Sequence, residues 1–412
     1  MSRLRSDLNR LKRIAPPAVL AFSILLLILV FPQESVQAGL KGVVIWWDVL
    51  FPSLFPFLVI AEVMLGFGII HFCGTLLDPM MRPLFRVPGS GGFVMAMGFA
   101  SGYPVGAKLT SQLWDARWLN RSESERLIAF TTTADPIFLI GAVAVGFFHD
   151  VRLAPILALS HYGGAFVLGL LMRFKSRNEV AAPPPENEGM PLIRRAFEAM
   201  HRARLEDGRP FGTLLADGIR SALKLVIVIG GLVVFFSVVI EVMTLSHVIA
   251  TLQLFAGGAL SAFGLPAPLA AAVVNGLFEV TLGAQTAGQS IPGVPLQAQI
   301  AVASFGLAWA GLSVHAQIMS LVSHMPVKYA PFALAKLVQG VISGVIAYFA
   351  WYIISPQQAE VSAWIPNGAV DSGWSAMQIY FPLAGVVFAG TFVLIGVVYG
   401  GYRVVRKLAG GH

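Results

Sequence analysis

Charge is what this sequence has least of: 12% of its 412 residues are Asp, Glu, Lys or Arg, against 56% hydrophobic, and the mean hydropathy is +0.75. A soluble domain needs a charged surface, so this balance excludes one and points to a chain that crosses a membrane several times. Cysteine is nearly missing too. Cys73 stands alone, which rules out an internal disulfide and a thiolate metal framework. Zinc-ligand spacing, a nucleophile elbow, a phosphate-binding loop and a dinucleotide glycine pattern are all absent. The residues offer no catalytic set, no metal site and no cofactor site, and the chain reads as something other than an enzyme.

The basic residues present give a net charge of +7, which in a soluble protein would suggest nucleic acid. Here they are sorted by segment. Arg3, Arg5, Arg10, Lys12 and Arg13 precede the first apolar run, a second group lies between Arg173 and Lys224, and Arg403, Arg406 and Lys407 close the chain. By the positive-inside rule both termini are cytoplasmic, with only Lys41 and Arg152 on the outer side. The positive balance sets orientation, and the expected partner is the bilayer, with no nucleic acid.

The stretch that organises the rest is Gly98-Phe-Ala-Ser-Gly-Tyr-Pro-Val-Gly-Ala-Lys108, where an apolar run stops at glycines and Pro104 and then carries a lysine. Such a break is tolerated in lipid only where protein or a water-filled cavity covers the freed backbone groups. It has a second copy. About 177 residues on, Gly106-Ala107-Lys108 falls on Gly283-Ala284-Gln285; near that offset Glu62 falls on Glu241, Pro88 on Pro266, and Pro136 on Leu312. Four matches in one order at one spacing indicate a duplication.

In chain order, residues 14–31 are a first apolar helix, retained in preference to cleavage after Val36-Gln37-Ala38, and 43–70 are a second span with Trp46 and Trp47 at the outer interface. An interfacial helix from Cys73 to Arg86 leads to a short apolar piece, 93–100, which enters, breaks at Ser101-Gly-Tyr-Pro104 and returns as a re-entrant hairpin. Asn120-Arg-Ser-Glu123 caps the next helix, a span at 126–148 is broken by Thr131-Thr-Thr-Ala-Asp-Pro136, and 153–173 returns to the cytoplasm. The second half repeats this plan in the opposite sense: 218–244 outward, a hairpin region at 248–287, then spans at 297–323, 330–354 and 377–402. The expected fold is an all-α polytopic membrane protein of about eight transmembrane helices plus two re-entrant hairpins in an inverted-topology repeat. Its segments are 1–41, the N-terminus and first span; 42–173, the first repeat; 174–217, a cytoplasmic linker with a basic amphipathic helix near 191–206; 218–355, the second repeat; and 356–412, an outer loop, last span and tail.

Candidate site residues follow from the cost of polar groups in lipid. Glu62 and Glu241, at matched positions within spans, are either hydrogen bonds between helices or ion-coupling groups. Glu279, beside Thr281 and Gln285 on the second hairpin, is the stronger functional candidate, as a substrate or proton-coupling group. Lys108 reads as the counter-charge of an anion, with Ser101, Gly102, Tyr103 and Gly106 lining the half-helix N-terminus, or as a side chain that snorkels to the surface. His161 and His315 either relay protons or bridge helices. Asp135 in the first broken span, and Ser304, Ser313 and Gln317 in the second, complete the set.

Phe99-Ala-Ser-Gly-Tyr-Pro-Val-Gly-Ala-Lys108, Leu159-Ser-His-Tyr162 and Gly311-Leu-Ser-Val-His-Ala-Gln317 resemble the sporulation integral membrane proteins of the YlbJ, or stage V sporulation protein V, type, which carry nucleoside-recognition Gate domains. The resemblance covers roughly residues 15–355. It implies a spore-forming bacterium and a transporter that moves dipicolinic acid, a small aromatic dicarboxylate, from the mother cell across the outer forespore membrane. A transporter of a nucleoside or other small solute and a non-transporting scaffold for spore-envelope assembly remain alternatives, as do monomer and homo-oligomer. Broken helices and intramembrane acids favour transport, since a scaffold has no need of them.

Overall fold

A computed structural model describes residues 18–354 apart from 20, 137, 176–190 and 290. Among the described residues every regular element is helical. That follows from the composition: in lipid a backbone must satisfy its own N–H and C=O groups, and a helix does so within one segment.

The helices are α1 (Ala21–Val30), α2 (Pro32–Ile45), a π-helical turn (Trp46–Leu50), α3 (Phe51–Gly66), α4 (Ile69–Phe85), α5 (Ser90–Ser101), α6 (Tyr103–Asp115) and α7 (Arg121–Thr131). A π-helical segment (Phe138–Phe147), α8 (Ala154–Met172), α9 (Leu192–Asp207), α10 (Phe211–Leu245), α11 (Val248–Ala262), α12 (Ala270–Phe278) and α13 (Val280–Gly288) follow. The series ends with α14 (Leu296–Trp309), α15 (Gly311–Leu321) and α16 (Tyr329–Ile354). One order recurs: an apolar helix (α3, α10), a second helix (α4, α11), a hairpin (α5–α6, α12–α13), a broken span (α7 with the π-helical segment, α14–α15) and a final span (α8, α16). The hairpin breaks, Gly102 and Glu279, keep the offset of about 177 residues found in the sequence.

Local chemistry explains these boundaries. Asn120 caps α7, its side chain accepting from Glu123 N at 2.9 Å while the Glu123 carboxylate accepts from Asn120 N at 2.9 Å, the reciprocal pair that the sequence suggests. Pro136 lacks the N–H a continuing helix would need, and α7 stops at Thr131. The second broken span turns at Ala310 and Gly311, both left-handed, with φ of 74° and 76°. One apolar core combines Tyr103 and Ala107 of the first hairpin, Val280 and Ala284 of the second, and Leu307 and Val314 of the second broken span, so both hairpins close on common ground.

Several expectations need correction. The helix that carries the second apolar stretch begins at Pro32, ahead of 43, because Pro32 suits the first turn of a helix; α2 then runs through the π-helical turn into α3, which ends at Gly66 and not at 70. Trp46 faces α10. Its Nε1 donates to Val226 O at 2.9 Å, half-way along α10. Val36 to Ala38 lie within α2, which packs along α10, with Ala38 buried. Four helical stretches are long and apolar enough to cross a membrane, Val151–Met172, Phe211–Leu245, Leu296–Leu321 and Tyr329–Ile354, or six if the bent pairs α1–α2 and α3–α4 each count once. Eight is not reached among the described residues. The basic N-terminus, the core of the linker, the outer loop and the span at 377–402 lie outside them.

Candidate functional site

Each hairpin break is pressed against the broken span of its own repeat. In the first, Gly102 has φ of 90°, and a Cβ placed there would lie 3.0 Å from the Asp135 carboxylate and 3.6 Å from Asp135 N. Gly98 and Gly106 flank it against Thr131, whose carbonyl would stand 2.6 and 2.7 Å from a Cβ at the two positions. In the second, a Cβ at Gly311 would lie 3.0 Å from Val280 N and 3.1 Å from Glu279 Cα. The crossings are backbone on backbone, which is why small residues occupy them.

The freed backbone groups are satisfied by side chains. Around the first break, Ala134 N donates to His161 Nε2 at 2.8 Å, Tyr162 Oη donates to Ala134 O at 3.0 Å, Phe138 N donates to Asp135 Oδ1 at 2.8 Å and Thr133 Oγ1 donates to Gly98 O at 3.3 Å. Around the second, Trp309 Nε1 donates to Leu277 O at 3.0 Å, and His315 Nε2, necessarily the protonated nitrogen, donates to Trp309 O at 2.8 Å. Leu282 N donates to Glu279 Oε2 at 2.7 Å, so that acid caps its own half-helix. Tyr103 Oη donates to Leu307 O at 2.8 Å, joining the first hairpin to the second broken span. Tyr103 also lies within electrostatic reach of both Asp135 and Glu279.

The structure thus gathers Ser101, Gly102, Tyr103, Gly106, Asp135, Glu279, Thr281 and Ser313 at the breaks or within about a helical turn of them. Ser101 and Ser313 are each 1% exposed, and neither hydroxyl has a hydrogen-bond partner among the described residues. Other candidates lie elsewhere. Lys108, further along α6, is paired with Glu62 of α3 and donates to Ser221 Oγ of α10 at 2.7 Å, and Ser221 Oγ donates to the same carboxylate at 3.0 Å. Lys108 and Glu62 therefore form a half-buried polar knot that ties the first hairpin to the long helices. Gln285 is exposed, and Glu241 is half-buried near the end of α10. Ser304, six residues before the break, shares a hydrogen bond of 3.0 Å with Ser160.

Lys336 was missed. It stands seven residues into α16, about 10 Å along the helix, and is fully buried. Its Nζ donates to Thr132 O at the first break and to Gln339 Oε1, both at 2.6 Å. The signal lay in the sequence as Lys336, Gln339 and Ser343, a polar stripe at helical spacing in an apolar helix. The topology read from the sequence had counted Lys336 with the cytoplasmic charges.

A protein described as sporulation integral membrane protein YlbJ of Bacillus subtilis (strain 168) is 40% identical over 375 residues, covering 88% of this chain and 91% of its own length. The chain belongs to the YlbJ family of sporulation integral membrane proteins. A family model described as Gate, nucleoside recognition, matches residues 48–151, which contain the first hairpin and its broken span. Among solved structures, CNTnw in an inward-facing substrate-bound state is 11% identical with a TM-score of 0.45, covering 82% of this chain and 87% of that one. A doubly substituted CNTnw in an outward-facing state gives 14% and 0.35 over the same shares. This YlbJ-family chain is an integral membrane protein.

Proposed function

We propose that the chain carries a small solute across the membrane, and that the two hairpins and two broken spans form its binding site near the bilayer midplane. The observation that carries this is the pair Ser101 and Ser313, one beside the first hairpin break and one beside the second broken span's turn, each buried with a hydroxyl that has no partner among the described residues. A buried polar group without a partner costs about 1–3 kcal/mol, a cost relieved when a solute supplies the partner. Repeats of opposite orientation, with eight spans counting the apolar segment at 377–402, would let one half rock against the other about that site.

The substrate we favour is a small aromatic dicarboxylate, dipicolinic acid, crossing the outer forespore membrane, as family membership suggests. Asp135 and Glu279 would repel a dianion in a low-dielectric site unless protonated, so transport should carry protons with the solute. Glu279→Gln mimics the neutral acid; binding should survive while the pH dependence of transport flattens. A second reading, a nucleoside, is favoured by the same two acids, which accept hydrogen bonds from hydroxyl groups, and by the Gate description. Vesicles holding only this protein separate the readings. Uptake of labelled dipicolinate that unlabelled nucleosides do not compete supports the first, the reverse supports the second, and uptake of neither sinks transport and leaves the scaffold.

A further inference from the structure

Pro136 opens the first broken span, and it also determines which carbonyl is left over. In a continuing helix Thr132 O would accept from the N–H four residues on, and at that position stands a proline. A carbonyl freed inside a membrane protein must find a donor or a cation. It finds Lys336 Nζ at 2.6 Å, delivered by α16 of the other repeat. Lys336 is 0% exposed, and its two acceptors, Thr132 O and Gln339 Oε1, are both neutral. The titratable groups within its electrostatic reach are His161 and His315, and no carboxylate pairs with it among the described residues.

Lys108 differs in this respect, since it has Glu62. The protein also satisfies freed carbonyls with uncharged donors, as Tyr162 Oη does at Ala134 O and Tyr103 Oη at Leu307 O. Lysine differs from those donors in that it can carry charge and can donate to two acceptors at once, as it does to Thr132 O and Gln339 Oε1. The C-terminal end of α7 is where that charge counts: a helix C-terminus is the negative end of its dipole, and unwound carbonyls beside such ends are where secondary transporters hold a coupling cation.

We propose that the Lys336 ammonium is the resident cation of the first break, standing where a metal cation would otherwise bind, so that solute movement by this chain does not draw on a Na⁺ gradient. The site rests on the contact between Lys336 and Thr132, and the consequence for coupling rests on the transport reading above. The two are separated by melting the full-length protein in detergent in NaCl, KCl and choline chloride of equal ionic strength. The wild type should melt at one temperature in all three. Lys336→Ser removes the ammonium and leaves room for a hydrated ion, so it should melt several degrees lower in choline and recover part of the loss in Na⁺. A wild type stabilised by Na⁺ over choline overturns the proposal, as does a Lys336→Ser protein indifferent to the cation. If Lys336→Ser does not fold, the wild-type comparison decides. In proteoliposomes, dipicolinate uptake should be unchanged when the Na⁺ gradient is collapsed, and uptake that requires the gradient overturns the proposal. Absence of uptake under every condition removes the transport reading alone, because the melting comparison does not depend on it.

Discussion

In the first repeat the broken span opens over Thr132 to Asp135 ahead of a proline, and a lysine, a histidine and a tyrosine from α16 and α8 take its freed groups. In the second it turns on two left-handed residues, Ala310 and Gly311, keeps the bond from Ala310 N to Gly306 O at 2.9 Å, and has its carbonyls at Leu307 and Trp309 met by the rings of Tyr103 and His315. A proline removes a donor outright, so the first break depends on chemistry supplied from outside. A left-handed pivot only redirects the chain, so the second depends on space. Each break is tied to the other half of the chain, the first by Lys336 at Thr132 O and the second by Tyr103 at Leu307 O, but a lysine serves the first break only, although the order of elements is the same in both.

The largest expected effect tests the steric side of this contrast. A Cβ at Gly283 would overlap Gly276 Cα and stand 2.6 Å from Gly276 N, which are backbone atoms with nowhere to go. Gly283→Ala should cost about 3 kcal/mol, near the upper end for overpacking, and Gly106→Ala should cost somewhat less, because its closest contacts, the Thr131 hydroxyl at 2.6 Å and carbonyl at 2.7 Å, are less severe than the overlap with Gly276 Cα at Gly283. Melting temperatures in detergent check the order, and a Gly106 variant that loses more than the Gly283 variant breaks the comparison.

Next comes Lys108→Gln, which gives the first hairpin the side chain its counterpart carries at Gln285. Glu62 would keep Ser221 but lose its cation, at a cost of about 1–2 kcal/mol for a half-buried pair. Gln285→Lys, at an exposed position, should leave the melting temperature within error. Equal effects from the two exchanges would show that the hairpins are interchangeable at this level.

Tyr103→Phe should cost about 1 kcal/mol, the worth of one hydrogen bond, by removing the donor to Leu307 O while keeping the ring. Its effect on solute uptake should exceed its effect on stability, because that bond links the two repeats at the proposed site. Uptake unchanged at unchanged stability would remove Tyr103 from the site.

The smallest effect lies outside the breaks, at the junction of α9 and α10. Hydrogen bonds from the Arg209 guanidinium, at 2.7 Å, hold the Asp207 carboxyl below the usual carboxylate range despite some burial. A lowered folded-state pKa means that this contribution is present above the unfolded value of about 3.9 and is lost as pH falls through the folded value. Asp207→Asn should lower the melting temperature by about 1 °C or less at neutral pH, as expected of a surface pair, with the difference vanishing in acid. A difference that grows on acidification contradicts this assignment.

Much of the fold was legible before the structure. The offset between the hairpins, the break at Gly102, the capping box at Asn120 and the amphipathic α9 all follow from local rules, because glycine, proline and caps act within a few residues of themselves. The site was legible in part. Ser101, Asp135, Glu279 and Ser313 stand out because polar residues in apolar segments are rare. Lys336 has the same signature, yet its place near the start of an apolar helix reads as a cytoplasmic flank, and only its contact with a carbonyl 204 positions away in the sequence shows otherwise.

What the sequence alone determined is that this chain lives in a membrane, is helical, and breaks its helices twice in each half at matched places. Those properties follow from hydropathy and from backbone chemistry that needs no partner. Only the tertiary structure decided which polar groups neutralise one another. It paired Lys108 with Glu62 and Ser221, took it out of contention as an unpaired charge, and gave the carbonyl beside Pro136 to Lys336. The physical reason is that a charge or a carbonyl in a low-dielectric interior must be met by whatever group folding brings within hydrogen-bonding reach, and the groups that met these came from other helices and, for Thr132, from the other half of the chain.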